Sequence, residues 1–248
     1  MGKTLAEIAV EKTQKWFQEN NRGTAVVGIS GGKDSAVVAA ILAKALGPKR
    51  VVGVLMPNGE QVDLEDSVAV AESLGIRYMI VDIHNAVRGI TDHLVPGTYE
   101  DHDVGVELSQ EAYINVMPRI RMTLMYAIAQ SLGEHAAVIG TGNAAEIYVG
   151  YTTKWGDAAC DFNPLRHLWV HQVISVGTEL GVLETVLHKA PNDGLCGSTD
   201  EQKLGFTYDQ VYLLATGTGT VPPEIAEKIH RRHALSEHKR APIPTIYL

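Results

Sequence analysis

Residues 26–35 read VVGISGGKDS, and the fold turns on how that stretch is read. Ala25, Val26, Val27 and Ile29 are β-prone and flank Gly28. Ser30, Gly31 and Gly32 follow, and Asp34 and Ser35 open an Ala/Val/Leu-rich helical run. The pattern is a strand, a tight turn and a helix start. Glycines lacking Cβ let a backbone come close to an anion, and free N–H groups at a helix N-terminus face it with the favourable end of the dipole. Gly-Gly after a strand is often only a connection. Ser30, Asp34 and Ser35 add hydroxyls and a carboxylate that a mere connection does not need, so the stretch predicts a phosphate site. G-x-G-x-x-G spacing is absent, and Lys33 precedes Asp34 where a Walker A loop requires Gly-Lys-Ser/Thr.

Outward from this loop, apolar strands alternate with helices. Thr4 to Asn20 predicts a helix with Leu5, Ile8, Ala9 and Trp16 near one face. Ala36 to Leu46 is apolar nearly all round, as in a buried helix, and Gly47-Pro48 stops it. Val51 to Met56 and Arg77 to Ile83 are continuous apolar strands, with a helix from Asp63 to Leu74 between them. Asn85 to Glu107 reads as a short helix and a surface loop. Ala112 to Leu132 is a long helix in which Pro118 must form a kink or lie in the first turn. Ala136 to Ile139 is the fourth strand.

Continuous apolar strands separated by helices predict an α/β class, a doubly wound parallel sheet with helices on both faces. Ligands of such sheets bind beyond the carboxyl ends of the strands. GTGNAAE, residues 140–146, follows the fourth strand and faces the same crevice as SGGKDS. Later helices are expected at Trp169 to Leu180, Leu183 to His188, Tyr208 to Ala215 and Pro223 to Leu235. The loop APNDGLCGSTDEQKLG, residues 190–205, is long and polar enough to be a mobile lid.

A length of 248 residues suits one large domain, and 45% hydrophobic content fits a globular protein. No apolar run approaches a membrane span of about 20 residues. Glu7 and Glu11 break up what a signal peptide would need to be apolar. Two cysteines, Cys160 and Cys196, without metal-ligand spacing, make a reducing cytoplasm the expected location. A net charge of −8 argues against a nucleic-acid partner.

Asp34 and Glu146, one from each strand-end loop, are the candidate ligands for Mg²⁺, which takes one or two carboxylates together with phosphate and water oxygens. Arg119 and Arg121, two apart, cannot share a helix face, so one is expected at the crevice and the other at a surface or subunit contact. Lys154 follows the second loop closely, with Asp157 and Asp161 just beyond it. His238, Lys239 and Arg240 supply the local positive charge that an acidic protein needs to hold a dinucleotide. Cys196 has no visible base partner and is not expected to be a nucleophile.

SGGKDS resembles the SGGxDS loop of the ATP pyrophosphatase superfamily. Together with PRIRM (118–122), GTGNAAE, GYTTKWGD (150–157), DFNPL (161–165), STDEQKLGFTYD (198–209) and SEHKRAPIP (236–244), it resembles the ammonia-dependent NAD synthetases over nearly the whole chain. The resemblance implies a single synthetase domain over residues 1–248, with no glutaminase domain. The implied reaction is ATP-dependent amidation of deamido-NAD by ammonia to NAD, AMP and pyrophosphate, through an acyl-adenylate.

Gly28, Ile29, Ser30, Gly31, Gly32, Lys33, Asp34, Ser35, Thr141 and Asn192 would contact ATP. Asp34 and Glu146 would hold Mg²⁺, and Arg119, Lys154, Asp161, His238 and Lys239 would contact deamido-NAD. Asp34, Glu146, Lys154 and Asp161 would be the catalytic set; from their position just after Lys154, Asp157 or Asp161 is expected to accept the proton of ammonium or to form its cation site. The resemblance further implies a homodimer with the dinucleotide across the interface. Two positions depart from the family pattern. Val170 stands where many members carry an ATP-contacting Lys, and Asn192 where many carry Ser or Thr.

Overall fold

A computed structural model describes residues 2–60, 63–94, 108–189 and 199–246. The expected parallel sheet is present. β1 (Thr24–Gly28) pairs with both β2 (Val51–Leu55) and β4 (Ala136–Ile139), and β2 pairs with β3 (Arg77–Ile80), giving the order β3-β2-β1-β4. All three pairings are parallel. A single parallel bridge from Ile139 to Phe162 extends the sheet past β4. Because β1 and β4 are neighbours, the loops that follow them lie side by side.

The helices are α1 (Leu5–Glu19), α2 (Lys33–Leu46), α3 (Leu64–Ser73), α4 (His84–Thr91), α5 (Gln110–Leu132), α6 (Ala144–Val149), α7 (Val170–Glu179), α8 (Glu184–Leu187), α9 (Asp200–Leu204), α10 (Tyr208–Thr216) and α11 (Pro223–Leu235). Thr4 and Glu7 form a capping box at the start of α1. That helix buries Ala6, Thr13 and Phe17, a slightly different stripe from the expected one; Leu5, Ala9 and Trp16 only pack against the core edge. The apolar helix α2 is central, with Val37, Ile41 and Leu42 fully buried. Each such side chain contributes about 1.5–3 kcal/mol of transfer free energy. One core lies between α1, α2, α7 and the sheet, a second under α5 on the opposite face, and a third joins α6, α10 and α11.

Two expectations need correction, and one open choice is resolved. Arg77 to Ile83 reads as a strand covered on both faces, yet β3 stops at Ile80 and Tyr78, Met79 and Ile80 are all exposed. It pairs only with β2, so it is an edge strand. Pro118 lies inside a continuous α5 rather than in its first turn. Finally, residues 200–204 of the expected lid form α9, because Thr199 and Gln202 make a reciprocal capping box. The remainder of that loop, with Asn192 and Cys196, and the loop at 95–107 lie outside the described residues. Among the described residues no helix is long and apolar enough to cross a membrane.

Candidate active site

The turn after β1 is braced by its own hydroxyls. The Ser30 N–H donates to Ser35 Oγ at 3.2 Å, and Ser35 Oγ donates to the Gly32 carbonyl at 3.0 Å. Gly31 has φ +78°, and a Cβ there would lie 2.6 Å from the Asp63 carbonyl oxygen. Only glycine combines that backbone with that approach. The turn delivers Lys33 and Asp34 into the first turn of α2, with their side chains 2.9 Å apart and Lys33 only 7% exposed.

The second loop reaches the same place from β4. Asn143 caps α6, its Oδ1 accepting from the N–H groups of Ala145 (3.0 Å) and Glu146 (3.2 Å). Its own N–H donates to Glu146 Oε2 at 2.9 Å, and its Nδ2 donates to Asp34 Oδ1 at 3.2 Å. One asparagine thus ties together the two carboxylates expected at a metal.

Burial first, and then the adjacent Asp34, push Glu146 well above the usual carboxylate range; Lys33 and the Asn143 N–H oppose them. For Lys33, burial acts to lower the ammonium, but Asp34, Glu146 and Asp200 outweigh it and hold the group above its ordinary value. This is an acidic centre short of positive charge. The donor set fits a hard cation such as Mg²⁺, with two carboxylates supplied by protein and the remaining oxygens left to phosphate and water. Among the described residues no three or more His, Cys, Asp or Glu side chains form a metal cluster of their own.

A cavity of about 510 Å³ takes in this centre and the carboxyl ends of β1, β2 and β4. Gly28 through Ser35 and Thr141 line it, as does Glu146. Arg121, Thr153, Asp157 and Lys239 line it too. The Arg121 Nε–H donates to the Met56 carbonyl at 3.1 Å. The Thr153 N–H donates to Asp157 Oδ1 at 2.7 Å. Asp157 touches water through the cavity yet is surrounded by protein, and that burial raises its carboxyl despite the Thr153 hydrogen bond. Burial likewise lowers the Lys239 ammonium, which donates to the Gly150 carbonyl at 2.7 Å. Beside Lys239 a smaller recess of about 60 Å³ opens between Lys154, Trp155, His238 and Ile243.

The expected residues therefore fall into three groups. The 28–35 loop, Thr141, Asp34, Glu146 and Lys239 share the cavity. Lys154 and His238 line the recess. Asp161 and Arg119 line neither. Asp161 Oδ2 accepts from the Val138 N–H at 2.7 Å, and its Oδ1 from the Tyr126 hydroxyl at 3.3 Å, so it is engaged with the sheet. The Tyr126 phenol is pushed up to about 12 by burial and by Asp161. Arg119 turns to the Lys154 carbonyl at 3.4 Å, and it is Arg121 that reaches the cavity. Val170 begins α7 and packs against the third core.

Sequence reasoning overlooked several residues here. Asn143 was visible as the cap of an N-x-x-E box. Lys189, which pairs with Asp63 and with Asp66 (2.6 Å) across the cavity rim, and Tyr208, which donates to Asp200 Oδ2 at 3.3 Å, gave no local signal.

A parallel sheet, a hydroxyl-braced glycine loop and a carboxylate pair at adjoining strand ends define a nucleotide-binding α/β protein of the ATP pyrophosphatase type. The comparisons narrow it. The NAD synthase family model matches residues 6–243, and the chain belongs to that family. The NH(3)-dependent NAD(+) synthetase of Pyrococcus furiosus is 38% identical over 94% of this chain and 87% of its own. Among solved structures, the NMN synthetase of Francisella tularensis superposes with a TM-score of 0.86 at 31% identity, covering 99% of this chain and 100% of its own. The NH3-dependent NAD synthetase of Campylobacter jejuni gives 0.76 at 25% identity, with the same coverage. The chain is an ATP-using ligase of NAD biosynthesis.

Proposed function

We propose that this chain activates the carboxylate of deamido-NAD with ATP and amidates it with ammonia, within a single synthetase domain over residues 1–248. The observation that carries this reading is one cavity lined both by a phosphate loop with a carboxylate pair and by Asp157, Arg121 and Lys239. Two anionic substrates must meet head to head, and the cavity offers them backbone N–H groups and basic side chains beside a carboxylate pair.

In the first step a carboxylate oxygen of the acceptor attacks the α-phosphorus of ATP, and the bond to pyrophosphate breaks. The N–H groups of the 28–35 loop and Lys33 face the phosphates, where negative charge accumulates on the leaving group. Asp34 and Glu146 would hold Mg²⁺, whose contribution when bound is to neutralise that charge and fix the phosphates. In the second step ammonia attacks the acyl carbon and AMP leaves with its bonding electrons. Asp157 is the proposed acceptor of the ammonium proton, because it faces the cavity while Asp161 is engaged with β4. No protein nucleophile is needed, so catalysis rests on alignment and electrostatics.

Lys154, His238 and Lys239 are proposed to hold the dinucleotide, with Arg119 and the tail at a homodimer interface. The exposure of Ile243 (65%) and Ile246 (88%) in that tail supports an interface. A second reading has the same chemistry acting on the acid mononucleotide, and the higher TM-score to the Francisella enzyme favours it. The experiment is AMP and pyrophosphate release from ATP with deamido-NAD or the acid mononucleotide, each with and without ammonium. Release requiring deamido-NAD and ammonium supports the first reading, and preference for the mononucleotide supports the second. Release with neither acceptor rejects both.

A further inference from the structure

Among the described residues, two other than glycine have a positive φ, Asn21 at +50° and Trp155 at +59°. Asparagine tolerates that region, but a bulky side chain there is an outlier. The backbone around Trp155 is held so that it cannot relax. The Thr153 N–H donates to Asp157 Oδ1, and the Gly156 N–H returns to the Thr153 carbonyl at 3.0 Å. Gly156 is pressed against α5, since a Cβ there would lie 3.0 Å from Pro118 Cβ and 2.9 Å from the Thr153 methyl.

The consequence is an indole that is 54% exposed. Lys154 Nζ lies over its ring, 5.7 Å from the centroid. The small recess bounded by Trp155, Lys154, His238 and Lys239 adjoins it, and Lys239 also lines the main cavity, so the two spaces meet at that lysine. A flat electron-rich surface beside two ammonium groups and an imidazole suits a flat ring that carries or adjoins negative charge.

We propose that Trp155 is a stacking platform for a heteroaromatic ring of the acid nucleotide acceptor, next to the charge held by Lys154, His238 and Lys239. The inference rests on the acceptor reading above and deepens it. The ring is the pyridine carboxylate or the adenine of the acceptor. Both share the chemistry of a planar π face near an anionic group, and only the dinucleotide supplies the second.

The test combines fluorescence titration without ATP and steady-state kinetics, on wild type, Trp155→Ala and Trp155→Phe. Trp16 stacks on Phe162 and Trp169 packs edge-on to Tyr212, so the signal lost in Trp155→Phe belongs to Trp155. The expected result is acceptor-dependent quenching in wild type, absent from Trp155→Phe. Trp155→Ala should raise KM for the acceptor about tenfold or more, with KM for ATP unchanged, and Phe should restore most of it. Equal effects for mononucleotide and dinucleotide assign the pyridine ring, and effects on the dinucleotide alone assign adenine.

The proposal is overturned if wild type turns over an acceptor while Trp155→Ala keeps its KM. It is also overturned if Trp155→Ala changes the sedimenting mass and Phe restores the mass without restoring KM, which would make Trp155 an interface residue. Quenching without turnover in wild type would reject the catalytic reading and keep the platform, whereas the absence of both rejects both.

Discussion

The Asn143 side chain donates to Asp34 Oδ1 at 3.2 Å while its own Oδ1 caps α6, so the position of one carboxylate is coupled to the start of the helix that carries the other. Asn143→Ala removes a helix cap and a buried hydrogen bond together. It should cost about 1–3 kcal/mol in urea unfolding. Asn143→Asp keeps the cap acceptor but sets a third negative group against Asp34. At neutral pH it should be the less stable of the two variants, because the new carboxylate is buried beside Asp34 and Glu146, and it should lose more activity as well. The pair of unfolding curves and ATP–pyrophosphate exchange rates checks the ordering.

Glu146→Gln separates stability from function. A carboxyl held above its unfolded value of about 4.3 is ionised more easily in the unfolded chain. Its contribution is therefore fully present below that pH and is lost as pH rises through the folded value. Without ATP and Mg²⁺, Glu146→Gln should melt higher than wild type at neutral pH, by about 2–4 °C for each kcal/mol relieved. Its amide oxygen can still accept from the Asn143 N–H. Adding ATP with Mg²⁺ should raise the wild-type melting temperature and leave the variant unmoved, with adenylation lost.

Gly31→Ala and Gly32→Ala should differ sharply although they are adjacent. At Gly31 the added carbon meets the Asp63 carbonyl at 2.6 Å with φ +78°. At Gly32 the nearest atom is Ser30 Oγ at 3.4 Å, and the backbone is extended. The first variant should lose about 2 kcal/mol or more and bind ATP at least tenfold more weakly. The second should stay within about 1 kcal/mol of wild type in thermal melts.

Asp157→Asn should lower kcat/KM for ammonium by about 100-fold or more while ATP–pyrophosphate exchange persists. The surrounding protein raises this carboxyl, so it holds its proton to a higher pH than an ordinary aspartate. The base form is lost as pH falls through that raised value. The wild-type amidation rate should therefore drop on the acid side, and the variant should lack that limb.

The sheet and the phosphate loop were legible because both follow from short-range pattern: continuous apolar runs, glycines and a helix start. Glu146, Lys154 and the His238-Lys239 pair stood out by residue type and position in segments far apart in the chain, and the family resemblance then supplied their roles. What escaped reading depended on contacts made only by the fold. Asp161 and Asp157 are four apart and chemically alike in sequence, but one accepts from the Val138 N–H beside β4 and the other opens on the cavity. The choice between Arg119 and Arg121 turned on which side of α5 meets Met56. The exposure of β3 reflected its place at the sheet edge, which its apolar composition contradicted.

The strand order β3-β2-β1-β4 also sets a timetable. The first three strands can pair as soon as they leave the ribosome, but Asp34 meets Asn143 only after 109 further residues have been made. At about 5–20 residues per second, that is a wait of roughly 5–20 s. During that interval the nascent chain carries its phosphate-loop residues with half of the acidic centre, and the edge of β1 awaits β4. Translation speed between those two points, rather than any residue in the site, governs how long β1 remains open to the wrong partner.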